Sequence, residues 1–143
     1  MECIIFFCAV FFVQCSAPKI PEPQENIFFI LIDTLRPDHL GCYDYSRDTS
    51  PTIDNLAKQG ILFENTIAQA PWTKPSISSI FTSTLPSTHG VTWRGRHERL
   101  PTTMTTLAEV FQQNGFRTAA FSDNPHITVS NGFGQGFDKF TDF

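Results

Sequence analysis

The chain has 143 residues, of which 41% are hydrophobic and 17% are charged. This length allows one domain of ordinary size, and the apolar content is high enough to bury a core, so the composition excludes a disordered tail. The net charge of −4 argues against a nucleic-acid-binding protein, because such proteins need a basic surface.

The first 25 residues are predicted to precede the folded domain. Residues 3–13 form an unbroken apolar run. This run is shorter than the about 20 residues of a membrane-spanning helix and has the length of a signal-peptide core. Cys15 follows it in a context that loosely resembles a bacterial lipoprotein cleavage site. We therefore expect residues 1–15 to be a signal peptide or lipoprotein leader of an exported protein, with Cys15 as a candidate membrane tether. Residues 16–25 contain three prolines and predict an extended linker.

From residue 26 onwards, the pattern predicts strands that alternate with helices. A continuous apolar run predicts a strand at residues 27–32, and further strands are predicted at residues 61–68 and 116–121. Helices are predicted from Ser50–Pro51 to Gly60, from Pro75 onwards, and over residues 103–114 with Gly115 as the stop. Strands joined by helices of this length predict an α/β fold with a mostly parallel sheet and helices on both faces.

Two polar residues are positioned for ester chemistry. Asp33 is the first polar side chain after residues 27–32, so it would emerge at the carboxyl edge of the sheet, where ligands collect. Thr73 stands where a helix begins, and a helix amino end favours a bound sulfate or phosphate. A threonine hydroxyl is a weak nucleophile that needs a base or a metal, and Asp33 could hold that metal. Structural alternatives stay open at this point, since Asp33 could cap a turn and Thr73 could cap its helix.

Several segments, taken in order, resemble the sulfatase family of the alkaline-phosphatase-like superfamily. They are residues 26–43, 49–57, 60–65, 68–76, 85–91, 106–109 and 115–120. This resemblance implies the alkaline-phosphatase-like α/β fold. Related enzymes are several times longer, and their remaining metal ligands lie far downstream of the matching region. We therefore expect residues 26–143 to be the amino-terminal part of a sulfatase-like domain, truncated after Phe143 and inactive by itself.

The resemblance also assigns roles to the two polar residues. Asp33 matches one of the two metal-binding carboxylates that usually end the first strand of a sulfatase, and Thr34 replaces the second. Thr73 occupies the position of the Cys or Ser that sulfatases oxidise to formylglycine, an aldehyde that threonine cannot form. Ile77 replaces the arginine that supports this site in the family. The implied cofactor is a divalent cation, Ca2+ for a sulfatase and Zn2+ or Mn2+ for phosphoryl chemistry, with Asp33 and Thr73 as metal ligands.

Two further positions follow the predicted strand over residues 116–121. His126 matches a histidine of the family, while Asp123 or Asn124 stands where lysine is expected. We expect His126 and Asn124 to bind substrate, which would be an anionic sulfate or phosphate ester.

Three hypotheses for function remain open. The first is a metal-dependent sulfatase-like hydrolase of sulfuric esters. The second is a phosphodiesterase or phosphoglycerol-type transferase that uses Thr73 directly, since threonine nucleophiles occur in the wider superfamily. The third is a non-catalytic remnant or binding module that retains the fold.

Overall fold

A computed structural model of the chain describes residues 26–92 and 99–142. The predicted leader and linker lie outside these residues, so export and lipidation of Cys15 stay predictions. The chain divides into two compact units, Met1–Ile32 and Asp33–Phe143.

The described part of the first unit, residues 26–32, contains no regular secondary structure. Its apolar side chains are exposed, with Phe28 at 85%. The predicted strand over residues 27–32 is therefore wrong for this structure. A strand needs a neighbour to accept and donate its backbone hydrogen bonds, and the two strands found among the described residues pair with each other.

Helices make up most of the regular secondary structure in the described part of the second unit. Two short 3-10 helices at Pro37–His39 and Gly41–Tyr43 lead into the longer elements. These are the helices α1 (Pro51–Gln59), α2 (Thr73–Thr82), α3 (Pro86–His89) and α4 (Leu107–Gln113), followed by the strands β1 (Ala119–Ser122) and β2 (Lys139–Asp142).

The sheet of the described residues consists of β1 and β2, which run parallel. Their register places Ala119 opposite Lys139 and Ser122 opposite Asp142. The prediction of parallel strands is thus confirmed in direction, but the extensive sheet between two helical layers is not found in the described residues. The strand predicted over residues 61–68 is absent, and its apolar side chains are exposed, with Ile67 at 84%. Continuous apolar runs form buried strands only where both faces are covered.

The helix predictions agree with the structure more closely than the strand predictions do, because caps and prolines act within a few residues. Pro51 begins α1 after Ser50, and Gly60 ends it, as predicted. Helix α4 begins at Leu107 rather than at residue 103. Thr106 determines this start, because its hydroxyl accepts a hydrogen bond from the Glu109 N–H (3.2 Å) while Glu109 Oε2 accepts one from the Thr106 N–H (2.7 Å).

The core lies around the inner face of α2. A cluster of buried side chains comprises Ile77, Val91, Leu100, Ile127 and Phe133. Its contacts hold α2 against the loop that follows β1, and the first residue of α2 is Thr73. Among the described residues, no helix has the length and apolar character needed to cross a membrane.

Candidate functional site

The hydroxyl of Thr73 and the carboxylate of Asp33 meet directly. Thr73 Oγ1 donates a hydrogen bond to Asp33 Oδ2 at 2.9 Å, across 40 residues of sequence. Thr73 is the first residue of α2, and Trp72 takes the N-cap position. The alternative of Thr73 as an ordinary helix cap is therefore excluded by the geometry. Its hydroxyl contacts a carboxylate in a neighbouring segment instead.

Asn124 reaches the same carboxylate oxygen from beyond the end of β1. Its Nδ2 donates to Asp33 Oδ2 at 2.8 Å, across 91 residues of sequence. Asp33 is exposed, whereas Thr73 and Asn124 are half-buried. Three of the predicted site residues therefore meet at Asp33 Oδ2, which accepts hydrogen bonds from both Thr73 and Asn124. Their catalytic and binding roles stay predictions.

His126 lies beside Asn124 and contacts it through the backbone. The His126 N–H donates to Asn124 Oδ1 at 2.9 Å, and the residue itself is exposed. A carboxylate can only accept and a backbone N–H can only donate, so these two partners determine which end of the Asn124 amide faces Asp33. Binding of substrate by the His126 imidazole stays a prediction.

Two residues that the sequence analysis did not select extend this arrangement. Asn131 Nδ2 donates to the His126 carbonyl oxygen at 3.1 Å, and Lys74 Nζ donates to Asn131 Oδ1 at 3.5 Å. Lys74 directly follows Thr73, which is a signal that could have identified it, whereas Asn131 lies in a loop without a recognisable motif. We call the connected set the Asp33 network; it comprises Asp33, Thr73, Lys74, Asn124, His126 and Asn131.

The backbone turns sharply beside the carboxylate. Thr34 has a φ of 55°, in the left-handed region that β-branched residues rarely adopt. Backbone strain of this kind often occurs at functional sites. Here it lies at the position where the resemblance placed a second metal-binding carboxylate.

Asp33 and Thr73 offer oxygen donors, which are the ligand type that hard cations prefer. Asp33 offers a carboxylate and Thr73 a hydroxyl, whereas Asn124 turns its amide nitrogen towards Asp33. Ca2+ takes about six to eight oxygen ligands. The described ranges contain no group of three or more His, Cys, Asp or Glu residues arranged to hold a metal ion. Asp33 and Thr73 can therefore be two ligands of such an ion and require others to complete the shell.

Together these features define an α/β protein in which a hydroxyl, a carboxylate and an amide converge beyond the end of a parallel strand. The family model described as Sulfatase matches residues 25–143. The chain belongs to the sulfatase family, which confirms the resemblance found in the sequence.

Several curated proteins are similar to this chain. Arylsulfatase D of Homo sapiens is 26% identical over 151 aligned positions, covering 91% of this chain and 26% of the relative. Iduronate 2-sulfatase of Mus musculus is 34% identical over 107 positions, covering 74% of this chain and 19% of the relative. Arylsulfatase G of Mus musculus is 36% identical over 105 positions, covering 71% and 20%. The chain thus spans about a fifth to a quarter of the length of these relatives. No solved structure matches it significantly.

Proposed function

We propose that this chain supplies the nucleophile and one metal-binding carboxylate of a metal-dependent hydrolase of sulfuric esters. Membership of the sulfatase family supports the reaction class. The observation that carries the proposal is the 2.9 Å hydrogen bond between Thr73 Oγ1 and Asp33 Oδ2. Because the chain spans only part of its relatives, the remaining metal ligands are proposed to come from outside the described residues.

In this proposal, Thr73 Oγ1 attacks the sulfur atom of the ester. A new oxygen–sulfur bond forms, the ester bond breaks, and the alcohol leaves with a proton. Water then hydrolyses the sulfated threonine. Asp33 Oδ2 is within hydrogen-bond reach of the hydroxyl, so it orients the Thr73 oxygen before the attack. A divalent cation bound by Asp33 and Thr73 would lower the pKa of the hydroxyl and offset the negative charge of the ester.

A phosphate ester is the second candidate substrate, and two residues of α2 support it. Thr73 stands where the family has a residue that becomes formylglycine, and Ile77 is 6% exposed within the core cluster. The position of the supporting arginine is therefore apolar and buried here. A threonine alkoxide that attacks phosphorus directly needs neither the aldehyde nor that arginine, and in this case the cation held by Asp33 and Thr73 would be Zn2+ or Mn2+.

The experiment compares turnover of 4-nitrophenyl sulfate and bis(4-nitrophenyl) phosphate by the purified longer protein, which includes the remaining metal ligands, with Ca2+, Mn2+ or Zn2+. We expect Thr73→Ala to lower the turnover rate by about 100-fold or more, because the attacking oxygen is removed, and Thr73→Ser to retain part of it. Thr88→Ala, at an exposed position in α3, is the matched control and is expected to retain full activity.

The pattern of results separates the candidates. Turnover of the sulfate that depends on Thr73 supports the proposal, whereas Thr73-dependent turnover of the phosphate alone supports the second candidate. Full activity of Thr73→Ala refutes both assignments of the nucleophile. A folded protein that turns over neither ester, with any of the three cations, is the non-catalytic remnant or binding module.

A further inference from the structure

We propose that Asn124 is a positioning residue that holds the Asp33 carboxylate, so that one of its oxygen atoms faces Thr73 and the other is presented to the cation. This inference rests on the proposed function and deepens it, because it assigns the side chain that orients the metal-binding carboxylate. It gives Asn124 a different role from the substrate binding expected from the sequence.

The amide of Asn124 is held in place by its own loop. The His126 N–H donates to Asn124 Oδ1 at 2.9 Å, and the Asn124 N–H donates to Ser122 Oγ at 3.3 Å. The backbone of His126 is held as well, since its carbonyl oxygen accepts a hydrogen bond from Asn131 Nδ2 at 3.1 Å. Because the amide oxygen faces the His126 N–H, the amide nitrogen turns towards Asp33, and the loop fixes this direction.

The Asp33 carboxylate depends on hydrogen bonds for its orientation, because the residue is exposed and packing restrains it little. Both hydrogen bonds that it accepts from the described residues end on Oδ2. Thr73 Oγ1 donates at 2.9 Å and Asn124 Nδ2 at 2.8 Å. Two donors from different segments determine how the carboxylate is rotated, whereas the Thr73 hydroxyl alone would leave it free to turn. Oδ1 is then the oxygen of Asp33 that would hold a cation.

An amide suits this task because it donates a hydrogen bond without carrying a charge. A cationic donor at the same distance would offset the charge of Asp33 and weaken the attraction of a metal ion. Asn124 therefore orients the carboxylate and leaves its negative charge for the cation. Loss of a hydrogen-bonding partner behind a metal ligand typically lowers metal affinity or activity by about 10- to 100-fold.

The test measures the affinity of the purified longer protein for Ca2+, Mn2+ and Zn2+ by isothermal titration calorimetry. We expect Asn124→Ser to weaken the affinity for the cation that binds most tightly by about tenfold or more, because serine has no amide to donate to Asp33. The serine hydroxyl can still accept from the His126 N–H, so the turn is retained. The thermal unfolding midpoint is therefore expected to stay within about 3 °C of the wild type.

Ser122→Ala is the matched control in the same loop. It removes the hydroxyl that accepts the Asn124 N–H but leaves both hydrogen bonds to Asp33 in place, so we expect no change in cation affinity. Equal losses of affinity in Ser122→Ala and Asn124→Ser would show that the loop as a whole matters and would overturn the role assigned to the amide.

Steady-state kinetics of the longer protein separate positioning from substrate binding. At a saturating cation concentration, a positioning residue affects the chemical step, so we expect Asn124→Ser to lower kcat by about tenfold and leave the KM for the ester unchanged. A higher KM with unchanged kcat and unchanged cation affinity is the pattern of a substrate-binding residue and contradicts the inference.

The results also distinguish this inference from the proposed function. If the wild type binds none of the three cations, or if Asn124→Ser binds them as tightly as the wild type, the positioning role of Asn124 is overturned, even where turnover depends on Thr73. If cation affinity depends on Asn124 but neither ester is turned over, the positioning role is supported and the proposed hydrolase activity fails.

Discussion

At the scale of single residues, Thr34 offers a way to test the cation site. We predict that Thr34→Asp raises the affinity for Ca2+ by about tenfold, because it adds a second carboxylate beside Asp33 and affinity increases with ligand charge. Aspartate also tolerates the φ of 55° at this position better than threonine does. Calorimetric titration with Ca2+ measures the effect.

Thr34→Asn is the control for this substitution, since asparagine has a similar size and backbone preference but no charge. Equal Ca2+ affinities of the two variants would show that the side chain at position 34 does not face the cation. A rise with Thr34→Asp alone would support Asp33 as a metal ligand.

At the scale of secondary-structure elements, the start of α4 depends on one side chain. Thr106 is 2% exposed; its hydroxyl caps the helix and also donates to the Gln135 carbonyl at 3.0 Å. We predict that Thr106→Ala lowers the free energy of unfolding by about 1–2 kcal/mol, because both hydrogen bonds are lost.

Urea denaturation followed by circular dichroism measures this loss. The neighbouring Thr105→Ala, at an exposed position, is expected to stay within about 0.5 kcal/mol of the wild type. Similar losses in the two variants would contradict the capping role of Thr106.

The loop that carries Asn131 is shaped by its glycines. Gly132 and Gly136 have φ values of 87° and 79°. A Cβ at Gly132 would lie 2.5 Å from the Leu100 carbonyl oxygen, so the loop approaches the backbone of that buried residue too closely for any side chain. Glycine at position 132 therefore allows this close backbone approach, and the neighbouring Asn131 lies next to α2.

At the scale of the whole molecule, a buried histidine connects stability to pH. His89 is 1% exposed; its Nδ1 accepts a hydrogen bond from the Val91 N–H at 3.1 Å. Nε2 must then carry the proton, and it lies 3.0 Å from Ser79 Oγ. Burial lowers the pKa of His89 below its ordinary value of 6.5.

Because the folded state prefers neutral His89, its stabilising contribution is complete above pH 6.5 and is lost as the pH falls through the lowered pKa. We predict that the thermal unfolding midpoint decreases as the pH is lowered below about 6.5, and that His89→Gln flattens this dependence. Differential scanning calorimetry from pH 8 to pH 4 tests this, with the exposed His39→Gln as control. A profile that His89→Gln leaves unchanged would contradict the role of His89.

The sequence by itself determined the family and helix α1, which begins at Pro51 and ends before Gly60, and it selected Asp33 and Thr73, whose side chains are in direct contact. Caps, prolines and glycines act within a few residues, and the ordered motifs span most of the chain, so both kinds of signal are readable without coordinates. It also pointed to Asn124 and His126, because the family resemblance matches these positions; their role in binding substrate stays a prediction.

Only the tertiary structure decided how far the sheet extends and which atoms meet at Asp33. Residues 27–32 and 61–68 form no strand in the described part of the chain, because strand formation depends on a partner elsewhere in the molecule. Lys74 and Asn131 join the site through contacts between segments far apart in sequence. Such contacts arise when helix α2 and the loop after β1 pack on a common core, and no local pattern encodes the direction of their side chains.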